Sequence, residues 1–150
     1  MKGKILVAAA LMLVLILGFV PGAQAEQAEG AGRIWAKGVG YAELHGRGVV
    51  DISGHGAGTV MVKGAEVLRA QGQGRRWDLP DGTVVFAGWR GHVHVEGGGL
   101  AIRVFGGIIE FTAAGEGSVL LRGTGHYRLN GQPGVWPQDG IRLELDPGNS

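Results

Sequence analysis

Apolar and polar residues alternate with a period of two in short windows along this chain, and glycines bound the windows. The spacing Gly-x5-Gly occurs at Gly32–Gly38, Gly40–Gly46, Gly48–Gly54, Gly58–Gly64, Gly91–Gly97, Gly117–Gly123 and Gly125–Gly131. The second and fourth interior positions are Ile34/Ala36, Ala42/Leu44, Val50/Ile52, Val60/Val62, Val93/Val95, Val119/Leu121 and Tyr127/Leu129, all apolar or aromatic. The first, third and fifth positions are mostly polar. Such alternation predicts strands with one buried face. Gly38-Val39-Gly40, Gly46-Arg47-Gly48 and Gly123-Thr124-Gly125 join consecutive units through a single residue. Glycine reaches positive φ without strain, so these links predict tight hairpins. The block Gly38–Gly48 matches Gly115–Gly125 glycine for glycine, which suggests a duplicated hairpin.

Between these blocks, Glu66–Gln71, Arg75–Leu79, Thr83–Ala87, Leu100–Phe105 and Ile108–Ala113 read as further strands, and Ile141–Leu145 as a closing strand. Leu79-Pro80-Asp81-Gly82 and Asn130-Gly131 predict turns. The stretch Pro133–Pro137 reads as irregular, with Trp136 available to plug an open end. No helix is predicted. The expected fold is all-β, an antiparallel meander of short glycine-bounded strands forming a small sandwich or barrel. A β-solenoid with glycine corners is the alternative, disfavoured by the uneven spacing of the units.

The N-terminus changes the picture of location. Two lysines in Met1–Lys4, an apolar run from Ile5 to Val20, a Pro21-Gly22 break and Ala23-Gln24-Ala25 form the three parts of a cleavable signal peptide. The run is short for a membrane span, which needs about 20 residues. The expected organisation is a signal peptide over 1–25, a linker over 26–31, one β domain over 32–145 and a disordered tail over 146–150. The expected location is periplasmic, cell-surface or extracellular. Cleavage removes two lysines and no acid, so the net charge passes from +1 to −1. No basic run remains, which disfavours nucleic acid. No membrane span is expected after cleavage. With no cysteine in the chain, burial and strand pairing must hold the domain together.

The G-x-G-x5-G pattern over 32–145 resembles exported bacterial or archaeal proteins built from repeated glycine-bounded strands. That resemblance implies an architecture and no activity.

Candidate chemistry lies on the outward positions. His92, His94 and Glu96 alternate on one strand and so share a face. An H-x-H pair can converge on one ion, and imidazole donors suit zinc or copper. The pair is similar to the metal strands of cupins and carbonic anhydrases, over these few residues alone. The competing reading is a solvated polar face with no cofactor. Trp35 and Tyr41 also point outward, and Trp77 and Trp89 stand beside arginines, as sugar-stacking or interface aromatics do. Outward Val49, Met61 and Leu120 favour a covered outer face, under a second layer or at an oligomer interface. If Arg47 centres a hairpin, Glu43 stands opposite Asp51. That like-charge pair is unfavourable unless the register slips, a cation bridges it, or Arg33 and His45 absorb the charge. No phosphate-binding loop opening a helix, G-x-S-x-G elbow or glycosidase carboxylate pair is evident.

These features lead to an expected non-enzymatic structural or binding role in the envelope or outside the cell. Self-association or an envelope or surface partner would provide it. A metal site on the 91–97 strand and a glycan-binding module are the alternatives.

Overall fold

A computed structural model describes residues 32–146. The expected signal peptide, the linker and the tail beyond Asp146 lie outside the described residues. The described chain is all-β, with six strands in one antiparallel sheet: β1 (Gly32–His55), β2 (Thr59–Lys63), β3 (Val67–Asp78), β4 (Val84–Leu129), β5 (Gln132–Val135) and β6 (Ile141–Leu145). β2 lies against β4 twice, with Thr59 opposite Ala87 and Phe105 and Val62 opposite Val84 and Ile102. Partner numbers fall as those of β2 rise, which is the antiparallel sense.

The expected hairpins at the Gly-x-Gly links are replaced by bends. β1 runs unbroken through Gly38-Val39-Gly40 and Gly46-Arg47-Gly48, and β4 through Gly115-Glu116-Gly117 and Gly123-Thr124-Gly125. At the link around Arg47 the glycines have φ of 146° (Gly46) and 140° (Gly48), an extended mirror-image conformation that only glycine adopts readily. The chain therefore stays extended while the sheet folds over.

The register shows what the bends accomplish. Along its whole length β1 pairs with the 110–129 stretch of β4, from Ile34 opposite Leu129 to Ser53 opposite Glu110. Its other edge pairs with the 90–115 stretch, from Gly32 opposite Gly115 to His55 opposite Arg90. Segment 108–115 thus lies between 32–38 and 48–54, while the intervening 40–46 lies between 100–105 and 117–123. One layer carries 132–135, 125–129, 32–38, 108–115, 48–54, 90–97 and 67–73 side by side. The other carries 141–145, 117–123, 40–46, 100–105, 59–63, 84–87 and 75–78. Each bend moves the chain from one layer to the other. The sheet does not close: β3 forms one edge, and β5 and β6 form the other.

The core lies between the layers. Ile34, Ala36, Ala42, Leu44, Val50 and Ile52 of β1 face Val93, Val95, Ile102, Val104, Ile109, Phe111, Val119 and Leu121 of β4, all buried. Phe86 and Phe111 are among the largest fully buried side chains. The corner glycines are in phase with these inward residues, so the inner side of each bend carries no side chain. They also face one another: Gly46 opposite Gly117, Gly48 opposite Gly115, Gly40 opposite Gly123 and Gly38 opposite Gly125. A Cβ on Gly46 would run into the carbonyl oxygen of Glu116, and one on Gly117 into that of His45.

The turns at Leu79–Gly82 and Asn130-Gly131 form as expected. Leu79 N–H donates to the Thr83 carbonyl, and Thr83 N–H and Oγ1 both donate to the Asp81 carboxylate. Asn130 adopts φ 49° and lets β5 pair back on β4. β5 corrects the irregular reading of 133–137. Pro133 cannot donate a ladder bond, but on a short edge strand it does not have to. Trp136 is 3% exposed, and its indole N–H donates to the His126 carbonyl at 3.1 Å.

Gly46→Ala is expected to destabilise the domain by at least about 2 kcal/mol, combining overpacking with backbone strain. Gly82→Ala, with positive φ but open space around it, carries the strain alone and should cost clearly less. Chemical denaturation of both variants measures the difference, and equal losses would contradict the close approach at the bend.

Candidate functional site

Alternation through the bends places every outward residue on one of two faces. On the face of the layer containing 32–38, antiparallel pairing sets residues from distant parts of the chain in rows. Arg128, Trp35, Thr112, Asp51, His94 and Arg69 form one row. Arg33, Ala114, Val49, Glu96 and Val67 form the next, and Lys37, Glu110, Ser53, His92 and Gln71 a third.

A groove crosses the first two rows. Its floor is Thr112 and Ala114, and Arg33, Trp35, Val49, Asp51 and Arg128 line it. Trp35 and Asp51 stand on strands separated by the one carrying Thr112, so about 10 Å of sheet separates them. The small floor residues leave that gap unfilled. The volume is about 370 Å³, within the range of small-ligand sites. Trp35 is half-buried, while Arg33 and Arg128 are exposed.

Beyond the groove wall, His94 sits between two carboxylates. Its Nδ1 is 2.6 Å from Asp51 Oδ1 and its Nε2 is 2.8 Å from Glu96 Oε1. Glu96 first, then Asp51, raises the His94 pKa above its ordinary value, since the doubly protonated ring donates to both. His92, two residues away, has Nδ1 3.5 Å from Ser53 Oγ. The strand thus places His92, His94 and Glu96 on one face as its alternation predicts, but their close partners differ. Asp51 is the member that sequence reasoning assigned elsewhere. Among the described residues, no group of three or more His, Asp or Glu side chains is arranged to hold a metal ion.

The expected Glu43–Asp51 opposition does not occur, because the chain bends at Arg47 instead of reversing. Glu43 faces outward from the other layer, opposite Arg103 and Leu120. There it accepts hydrogen bonds from Tyr41 Oη and the His45 ring, with Arg103 Nε at 3.8 Å. These donors, Tyr41 foremost, hold the Glu43 carboxyl below the usual range, while burial and then Glu43 push the Tyr41 hydroxyl up. Tyr41 also stacks on Phe105 with centroids 6.4 Å apart. Its hydroxyl and one ring neighbour are therefore already engaged.

No known protein family, curated protein or solved structure matches this chain. A reading of the site therefore rests on geometry alone. Trp77 and Trp89 do not form a pair. Trp77 is 45% exposed on the edge strand β3. Trp89 packs edge-on against Phe86 at 5.1 Å, between Gly54 and Gly74, and covers one end of the core. Of the four candidate aromatics, Trp35 alone lines the groove described above. The signal that would have found this groove is the small residue pair Thr112/Ala114 between two strands with larger outward residues. It becomes visible only once strand order is known. No helix among the described residues is long and apolar enough to cross a membrane.

A raised His94 pKa has a defined sign. Its contribution to stability is fully present below the unfolded value near 6.5 and is lost as pH rises through the higher folded value. Glu96→Gln is expected to lower the His94 titration midpoint, and Asp51→Asn to lower it less. NMR titration of the ring reads this directly, and a midpoint unmoved by both changes would contradict the arrangement.

Proposed function

We propose that this chain is an exported, non-enzymatic β domain that works by binding, with the Trp35 groove as its site. The single observation that carries this reading is the groove over Thr112 and Ala114, walled by an aromatic ring and edged by exposed polar side chains. An indole wall offers an apolar face to a sugar ring. Thr112, Asp51 and the two arginines offer hydroxyl, carboxylate and guanidinium partners for its hydroxyl groups. The rows are set by backbone ladders, so the groove is held by the scaffold and little ordering is needed on binding.

Titration of the mature chain with a panel of neutral and charged oligosaccharides, read by tryptophan fluorescence, tests the reading. Saturable quenching is expected, lost in Trp35→Ala and kept in Trp77→Phe. Quenching that follows Trp77, or none with any saccharide, would count against the groove.

A second reading rests on His94. Asp51 on Nδ1 is the carboxylate–imidazole contact that orients metal-ligating histidines, and an ion would take the place of the Nε2–Glu96 hydrogen bond on the neutral ring. On that reading the purified protein carries zinc or copper in stoichiometric amount, and His94→Ala loses it. Metal analysis that finds neither ion, with no thermal shift on adding either, would remove it.

A further inference from the structure

We infer that the Trp35 groove selects an anionic saccharide, one whose ring carries a carboxylate or sulfate. This rests on the reading of the groove as a saccharide site and adds the charge of its ligand. Among the described residues, Lys37 pairs with Glu110 at 3.7 Å, Arg47 with Glu116 at 2.5 Å, Lys63 with Asp81 at 3.6 Å, Arg76 with Asp78 at 3.2 Å and Arg103 with Glu43 at 3.8 Å, while the other arginines have no such pair; Arg33 and Arg128 differ from those in sharing one groove. Among the described residues, no carboxylate lies within ion-pair distance of Arg33 or Arg128. Both guanidinium groups flank Trp35: Arg128 directly across the strand pair, and Arg33 two residues along the same face. The groove therefore offers two planar forks, with no carboxylate partner among the described residues, beside one aromatic wall.

The single carboxylate of the groove stands at the opposite side. Asp51 is two strands from Trp35, and its Oδ1 is engaged by His94 at 2.6 Å. A ring lying over Thr112 and Ala114 can turn its acidic substituent toward Arg33 and Arg128 and its hydroxyls toward Thr112 and Asp51. A guanidinium recognises a carboxylate or sulfate through paired hydrogen bonds, which a neutral sugar cannot match. The reverse orientation would bring the anion against Asp51, so the distribution of charge also fixes direction.

The test compares a galacturonic acid trisaccharide with a neutral galactose trisaccharide by calorimetry on the mature chain at low salt. The uronate is expected to bind at least tenfold more tightly. Arg128→Gln is expected to remove most of that preference, its effect on the uronate exceeding its effect on the neutral sugar. Both arginines are exposed, so the fold is expected to persist, and thermal unfolding of each variant checks it. Arg33→Gln provides a second, independent variant. Equal affinity for the two sugars would overturn the selectivity and leave the saccharide site standing. Binding of neither would overturn both. A preference for the uronate that survives in both arginine variants would overturn the assignment to these residues.

Discussion

The fold depends on the close approach of two backbones wherever the sheet bends. At Gly46 and Gly117, and at Gly48 and Gly115, both strands of the ribbon present an inward glycine at the same level. A methyl group on any of them would meet a carbonyl oxygen of the opposite strand. Removing those side chains lets two hydrogen-bonded strands fold together without breaking their ladder. Glycine is costly in a strand because the unfolded chain gains freedom. With no cysteine in the chain, that cost is offset by the continuous core between the layers. The alternation runs through each bend in β1 without changing phase, so Ile34, Ala42 and Val50 all point inward although Ala42 lies in the layer opposite the other two. β4 shifts phase between Phe86 and Val93, between Val95 and Leu100 and between Val104 and Ile109.

The same constraint builds the candidate site. Because the ribbon returns to each layer after every second bend, Trp35, Thr112, Asp51 and His94 become neighbours across strands. None of the four is close to another in sequence. Their spacing is held by main-chain ladders on both sides, which makes an outer face a stable platform for recognition. The bends also keep Glu43 and Asp51 apart. Each then meets donors of its own, Tyr41 and His45 for one and His94 for the other.

The sequence made much of this legible. Alternation identified the inward residues from Ile34 to Leu129, and the strand at Ile141–Leu145 and the plug by Trp136 followed from local pattern. The difference between a hairpin and a bend was not legible, because both use glycine at positive φ. A clue was present all the same: G-x-G-x5-G-x-G reads the same in both directions. Two such blocks pair antiparallel with glycine against glycine, so the match of Gly38–Gly48 to Gly115–Gly125 reflects the two arms of one ribbon and not a duplicated hairpin. β5 escaped notice because Pro133 and Pro137 bracket it. The groove escaped notice because its walls come from strands whose order only the ladders reveal.

Disulfide trapping tests the ribbon most directly, since a chain without cysteine gives an unambiguous readout. In the folded sheet His45 lies opposite Ser118, at a Cα separation of about 5 Å, which a disulfide spans. A hairpin centred on Arg47 would instead set His45 opposite Val49. The bent ribbon predicts that His45→Cys with Ser118→Cys oxidises to an intramolecular disulfide, detected by mass spectrometry, and that His45→Cys with Val49→Cys does not. Efficient bonding of the second pair and none of the first would contradict it.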